Sequence, residues 1–254
     1  MVGLTNRSEA ELKAAVIDRL LAGAHVDDDA VLISEMTVAN WSRRADVVLA
    51  NGKLWAFEIK SEADSLARLP GQAATFRTYF EKFVIVAAAR FEAAITAMNL
   101  DGVGLWIAEA DGTLKQRVAP RQTVLDPEAY ISLMTASELR RLLIANGSRC
   151  PADAPRIRLE DAAARLPTRD LAAAARDAVK CRHRPRHREF MAHKDALGTL
   201  GAMWTLRRIT KAQAPTPKRV QPAHCALPEV SIAPNNPNLV HAPAGPILKR
   251  QLAN

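Results

Sequence analysis

Apolar and polar residues recur along the first 120 positions in a pattern that predicts helices and strands in a definite order. Ser8, a favourable helix cap, precedes a helix whose apolar face includes Leu12, Val16 and Leu20. Short apolar runs predict strands over 31–38, 44–50, 54–60 and 82–88, a helix over 70–79, and a later helix and hairpin over 91–118. The order α-β-β-β-α-β, extended by α-β-β, predicts an α/β (α+β) fold with a mixed sheet and helices on its faces.

The strand pattern stops near residue 135, and helical patterns follow over 137–147, 159–165 and 169–180. Residues 215–254 contain eight prolines and little periodicity, which is typical of disordered segments. We therefore expect three parts: a core over 1–125, a small helical module over 126–200 that is a candidate for DNA binding, and a disordered tail over 215–254.

A hairpin between the second and third predicted strands decides which side chains share a face. Asn51-Gly52 marks its turn. A two-residue loop would place Asp46 opposite Phe57, whereas a three-residue loop over 51–53 would place Asp46 opposite Glu58. The two registers differ sharply, because a shift of one residue moves every side chain to the other face of the sheet.

The apolar pattern favours the three-residue loop, or an equivalent bulge. In that register five apolar residues occupy one face and the carboxylates the other, whereas the alternative would bury a carboxylate among aromatic rings at a cost of several kcal/mol. The expected faces are Val47, Leu49, Trp55, Phe57 and Ile59 on one side, and Asp46, Val48, Ala56, Glu58 and Lys60 on the other. Asp46 and Glu58 would then have Cβ atoms about 5 Å apart.

Two carboxylates at that distance repel each other unless a positive charge lies between them. Mg²⁺ or Mn²⁺ suits such a pair, because these hard cations prefer oxygen ligands and accept one or two carboxylates with water. A metal beside Lys60 would suit phosphodiester hydrolysis. The structural alternative is a surface salt bridge among Asp46, Lys60 and Glu58 on a half-exposed sheet.

Composition limits the class of protein. The chain has 254 residues, of which 48% are hydrophobic, and this is enough for one sizeable core. Its apolar runs all fall well short of the ~18 residues of a membrane span, and no signal-peptide pattern is present, so we expect no membrane association. Three scattered cysteines, Cys150, Cys181 and Cys225, favour a cytoplasmic location.

The formal net charge of +8 is unevenly distributed. Residues 1–118 carry 13 Lys/Arg and 16 Asp/Glu, whereas residues 119–254 carry 22 and 11. A basic half joined to a carboxylate-bearing half is typical of proteins that bind a polyanion such as DNA. A basic tail without a dedicated partner is the alternative.

The predicted element order and the residues Asp46…Glu58-Ile59-Lys60 together resemble the PD-(D/E)XK nuclease superfamily over roughly residues 8–90. A longer run of residues is similar to an uncharacterised bacterial group that is often associated with phages or mobile elements. This run is Arg44-Ala45-Asp46…Phe57-Glu58-Ile59-Lys60-Ser61…Asp64-Ser65-Leu66-Ala67-Arg68-Leu69…Gln72. Ala45 replaces the proline of the nominal motif. The helices after residue 137 look like the C-terminal region of that group and, faintly, like SAP-type DNA-binding helices.

The resemblance implies a restriction-endonuclease-like core and a set of site residues. Asp46, Glu58 and the backbone carbonyl of Ile59 would bind Mg²⁺ or Mn²⁺, and Lys60 would be the catalytic lysine. Gln72 would lie near the site, and Glu35 would supply a further carboxylate. Glu9 and Glu11 are alternatives for that further carboxylate.

Three arginines, Arg43, Arg44 and Arg68, are candidates for contacts with the phosphate backbone, although a solvated role fits them equally. The expected activity is metal-dependent hydrolysis of DNA, in repair, defence or mobile-element processing. The alternative is a non-catalytic nucleic-acid-binding protein on a nuclease-like scaffold. A homodimer remains open.

A further group, Cys181, His183, His187 and His193, lies in or beside residues 182–188, a basic stretch rich in arginine and histidine. Its spacing matches no standard zinc finger and its neighbours are arginine and proline, so a basic patch is a better interpretation than a zinc site.

Overall fold

The computed structural model describes residues 7–23, 27–39 and 42–207. Within these residues six strands form one mixed sheet in the order β1-β2-β3-β4-β5-β6. β3 runs parallel to β4 and β4 parallel to β5, and the other neighbours are antiparallel. The strands are β1 (Val31–Val38), β2 (Arg43–Ala50), β3 (Leu54–Lys60), β4 (Lys82–Ala88), β5 (Gly104–Ala108) and β6 (Leu114–Val118).

Seven α-helices accompany these strands in the described part of the chain. They are α1 (Glu9–Ala22), α2 (Leu69–Tyr79), α3 (Glu92–Ala97), α4 (Pro127–Ser132), α5 (Ala136–Ala145), α6 (Arg156–Ala163) and α7 (Thr168–Ala202). The α/β class and the order α-β-β-β-α-β expected from the sequence are confirmed. Ser8 caps α1 in a capping box with Glu11, which explains why α1 begins at Glu9.

Both faces of the sheet are covered. The apolar side chains of α1 pack against one face with Val47, Leu49 and Phe57. The other face, with Val48 and Ala56, packs against α2 and the later helices. The alternative of a surface salt bridge required this second face to be half-exposed, but Glu58 and Lys60 on it are only 3% and 4% exposed.

Helices α4–α7 are not a separate body in this structure. Tyr130, Leu139, Leu159 and Leu171 belong to the same hydrophobic cluster as the sheet residues, and the described residues all fall within one compact unit. The division expected at residue 125 therefore does not coincide with a gap in packing. The expected disordered tail, 215–254, lies outside the described residues.

α7 is much longer than its apolar pattern suggests. It continues through Pro185, and Gly198, with φ of 68°, interrupts the helical backbone near its end. The middle of α7 lies along the outer edge of β1, where the Leu32 N–H donates to Nδ1 of His187 at 3.3 Å. This contact satisfies one backbone donor of an edge strand that would otherwise face solvent. In the described part of the chain, no helix has both the length and the apolar character needed to span a membrane.

Candidate metal centre

The hairpin has the three-residue loop expected from the apolar pattern. Ala50 pairs with Leu54 and Val47 pairs with Phe57. Continuing this register by one position places Asp46 opposite Glu58, on the same face of the sheet. The geometric condition for a shared carboxylate site is therefore met, and the backbone N–H of Ile59 donates to Oδ2 of Asp46 at 2.8 Å.

Glu58 lies at the centre of a buried polar cluster. Its Oε1 accepts hydrogen bonds from Nζ of Lys60 at 2.7 Å and from Nε2 of Gln72. Lys60 also donates to Oε1 of Gln72 at 3.0 Å. Gln72 reaches this position because α2 begins at Leu69 and packs against β2 and β4, the strands on either side of β3. The structure thus brings Glu58, Lys60 and Gln72 together, and all three are residues expected at the site.

The second carboxylate oxygen of Glu58 has no comparable partner. Oε2 is buried and makes no hydrogen bond to any described residue. Burying a carboxylate oxygen without a partner costs free energy, and a cation bound to that oxygen would offset the cost. The free Oε2 of Glu58 is a ligand of the kind that Mg²⁺ or Mn²⁺ prefers, so the residues present fit such a cation.

The protonation of the two carboxylates is linked. Burial, reinforced by the nearby Asp46 charge, raises the pKa of Glu58 to about 7, although Lys60 opposes the rise. Burial also raises the pKa of Asp46, while the Lys13 ammonium and the Ile59 N–H favour its ionised form. Burial is thus the main cause of the raised pKa of both carboxyls, and in each a neighbouring lysine favours the ionised form.

A lysine that the sequence interpretation did not include lies on the other side of Asp46. Lys13 in α1 is 3% exposed. Its Nζ lies 2.7 Å from Glu9 and 3.3 Å from Asp46, and it also contacts Glu35. One signal was available, because Lys13 falls in the apolar stripe of α1 four residues after Glu9, where a charged residue needs a buried partner.

Glu35 completes this second group of carboxylates. Oxygens of Glu9, Glu35 and Asp46 lie within 4.8 Å of one another. Glu35 lies opposite Asp46 in the β1–β2 register but has φ of 60°, a left-handed conformation that is strained for a residue with a side chain. Such strain costs about 1–3 kcal/mol and tends to occur at functional sites. Of the two expected alternatives to Glu35, Glu9 reaches the cluster, whereas Glu11 is occupied in the cap of α1.

The backbone carbonyl of Ile59 was the third expected ligand. The N–H and C=O of a strand residue point to the same side of the strand. Because the Ile59 N–H donates to Asp46, strand geometry favours a carbonyl that also points to the β2 side of β3. The structure thus places Asp46, Glu58 and Ile59 at the same point of the hairpin.

The three arginines expected to contact phosphate lie in different surroundings. Arg44 is 64% exposed at its side chain and forms an ion pair with Glu35. Arg43 lies beside the first turn of α2, where a Cβ on Gly71 would be 3.8 Å from its Nη2. Arg68 is exposed and immediately precedes α2. Arg43 and Arg68 therefore flank the helix that supplies Gln72, whereas Arg44 borders the carboxylates.

The surface salt bridge considered as an alternative is wrong in two respects. The Lys60–Glu58 pair is buried, with side chains 5% and 4% exposed. The close cation of Asp46 is Lys13 rather than Lys60. The polar cluster is therefore a buried network rather than a solvated pair.

The Cys181/His183/His187/His193 group does not form a metal-binding cluster in the described residues. His187 accepts the Leu32 N–H, and burial and the nearby Arg184 charge lower its pKa. Nδ1 of His193 lies 2.8 Å from the Glu189 carbonyl of its own helix. These contacts indicate structural roles for His187 and His193.

Comparisons with known proteins identify the family. A solved structure, a protein of unknown function from Silicibacter pomeroyi (SPO1766), is 19% identical and covers 58% of this chain and 99% of its own, with a TM-score of 0.37; a score this low supports no argument. Protein cII of Enterobacteria phage P4 is 35% identical over 191 residues, which cover 72% of this chain and 71% of that protein. The family profile of bacteriophage P4 protein cII matches residues 3–200. The chain therefore belongs to the bacteriophage P4 protein cII family.

Proposed function

We propose that this chain is a metal-dependent nuclease that hydrolyses phosphodiester bonds in DNA, in keeping with its resemblance to the PD-(D/E)XK superfamily. The observation that carries this proposal is the buried, unpartnered Oε2 of Glu58, which lies on the same face as Asp46 and beside Lys60. The similarity to a phage protein supports the expected phage association.

The residues that would hold Mg²⁺ or Mn²⁺ are Asp46, Glu58 and the carbonyl of Ile59. Two carboxylates and a carbonyl are oxygen donors of the kind that these cations prefer. When bound, such a metal acidifies a water molecule and neutralises charge on the attacked phosphate. A nearby positive charge also favours the ionised form of Glu58, whose proton is otherwise retained near neutral pH.

Lys60 and Gln72 orient the reacting groups in this proposal. The Lys60 ammonium has three N–H bonds, and two of them are directed to Glu58 and Gln72. The third is available to a water molecule or to a phosphate oxygen whose negative charge increases during the reaction. Gln72 fixes both partners, because its amide donates to Glu58 and accepts from Lys60.

A second candidate function is non-catalytic binding of nucleic acid on the same scaffold. The observation that favours it is Lys13, whose ammonium already contacts Glu9, Glu35 and Asp46. An ammonium can neutralise a group of carboxylates as a structural element, without any metal. Catalysis requires Asp46 to bind a metal ion while Lys13 also contacts it. Non-catalytic binding of nucleic acid has no such requirement.

Cleavage assays separate the two functions. Purified full-length protein, incubated with plasmid or oligonucleotide DNA and Mg²⁺ or Mn²⁺, is expected to cut the DNA. Asp46→Asn and Lys60→Ala should each reduce the rate by about 10²-fold or more, because each removes a group that stabilises the transition state. Glu11→Gln is the matched control, since this carboxylate lies on α1 outside the cluster. Cutting that both site variants leave unchanged would exclude the assignment.

A further inference from the structure

A groove beside the carboxylate cluster has the character of a binding site for a polyanion. It has a volume of about 690 Å³ and lies between the second half of β1 and the helices α4–α7. This volume is within the range of about 300–1,000 Å³ that is usual for ligand sites. Glu35 lines the groove and also belongs to the carboxylate cluster with Glu9 and Asp46, so the groove borders that cluster.

The helical wall of the groove carries more positive than negative charge, with three arginines and one carboxylate, Glu160. Arg156 from α6, and Arg182, His183 and Arg186 from α7, line it. Arg182 and Arg186 are four residues apart and therefore lie on one face of α7. By contrast, Lys180 and Arg184 form ion pairs with Asp29 away from the groove lining. The basic stretch of α7 is thus divided between a structural face and a face that lines the groove.

Two of these arginines are held in place by their own partners. Arg182 donates to Glu138 at 2.7 Å and to the Leu133 carbonyl at 2.9 Å. Arg156 donates to Glu160 at 2.7 Å and to the Met134 carbonyl at 2.9 Å. A guanidinium has five N–H donors, so each retains donors that can reach a phosphate oxygen.

Arg186 differs from its neighbours. It is half-buried in the groove wall, and no hydrogen bond or ion pair joins it to another described residue. A half-buried guanidinium without a carboxylate partner is well suited to an anionic ligand, because its charge is not yet compensated.

We propose that this groove holds the sugar–phosphate backbone of a DNA strand, with Arg186 as its principal unpaired phosphate contact. The proposal rests on the proposed function, because the shared residue Glu35 would place the bound strand next to Asp46 and Glu58. It goes beyond that function by assigning DNA binding to the β1–α7 groove rather than to Arg43 and Arg68 beside α2.

The test compares two arginines of the same helix. Arg186→Gln and Arg188→Gln remove the same charge, but Arg188 is exposed and lies outside the groove lining. Full-length proteins are titrated into labelled DNA oligonucleotides, single-stranded in one arm and duplex in the other, with EDTA present to prevent cutting. Fluorescence anisotropy gives the dissociation constant at several salt concentrations.

Arg186→Gln should weaken binding about fivefold and reduce the salt dependence by about 0.7–0.9 in log–log slope, the value for one lost phosphate contact. Arg188→Gln should change binding less than twofold. Equal losses in both variants, no loss in either, or no binding of DNA by the wild type would overturn the groove assignment. Metal binding, measured separately, decides the proposed function. A specific loss in Arg186→Gln without metal binding would retain the groove and reject catalysis.

Discussion

Two buried glutamates, one in β3 and one directly before β4, have opposite environments. Glu81, directly before β4, is 2% exposed, and both of its carboxylate oxygens have partners. Oε2 accepts the Leu54 N–H at 2.8 Å and lies 3.3 Å from Nε of Arg176. Oε1 accepts the Tyr130 hydroxyl at 3.2 Å. Glu58 is 3% exposed, yet only one of its two oxygens has a partner among the described residues.

The difference separates a structural carboxylate from a functional candidate. Glu81 joins β3, α4 and α7 through two hydrogen bonds, to Leu54 and Tyr130, and an ion pair with Arg176. Glu58 leaves one oxygen available, and burial together with the nearby Asp46 raises its pKa to about 7. A buried carboxylate whose two oxygens both have partners costs less free energy to bury. A buried carboxylate with one free oxygen can still bind a ligand, but it lowers the stability of the fold.

The structural glutamate also supports the functional one. Arg176, held by Glu81, donates from Nη1 to the Gly52 carbonyl in the hairpin loop at 2.9 Å. Glu81 itself accepts the N–H of Leu54, the first residue after the loop. These contacts fix the three-residue loop, and the loop fixes the register that places Asp46 opposite Glu58.

The largest stability difference should come from substituting each glutamate by glutamine at pH 5 in metal-free buffer. Glu81→Gln should lower the free energy of unfolding by about 3 kcal/mol, because it leaves a largely buried Arg176 without its carboxylate. Glu58→Gln should change it by less than about 1 kcal/mol, since Glu58 already carries a proton at that pH. Urea denaturation measures both. Equal losses of unfolding free energy in Glu81→Gln and Glu58→Gln would contradict the distinction between a structural and a functional glutamate.

A smaller effect should appear in the pH dependence of stability. The folded-state pKa of Glu58, about 7, is above its ordinary value of 4.5. The folded state therefore binds the proton more tightly, and stability should fall as pH rises from about 4.5 to about 7. Across this pH range, in EDTA, the free energy of unfolding of the wild type should fall by about 2–4 kcal/mol more than that of Glu58→Gln. Parallel pH profiles for the two proteins would contradict the assigned pKa shift.

Local sequence pattern was sufficient for the hairpin and the strand order. The grouping of Val47, Leu49, Trp55 and Phe57 on one face favours the register of the three-residue loop, and the structure has that register. The position of Gln72 followed from the family resemblance rather than from pattern, because nothing local shows that α2 crosses β3 at that point.

Other features depend on contacts between residues distant in sequence. Lys13 contacts Glu35 and Asp46 only because α1 packs beside the β1–β2 pair. The Glu81–Arg176 pair joins residues 95 positions apart. α7 continues through Pro185 while His187 contacts β1, and tertiary packing of this kind can override the local preference of proline to end a helix.

The most direct test of the central claim is isothermal titration calorimetry of Mn²⁺ into metal-free, full-length protein. The wild type and Glu11→Gln should each bind Mn²⁺ at a site that Asp46→Asn and Glu58→Gln lose, whereas Glu81→Gln should retain it under conditions where it is folded. That result would establish the unpartnered Glu58 oxygen as part of a metal centre. Equal Mn²⁺ binding by wild type and Asp46→Asn, or no binding by the wild type, would contradict the account.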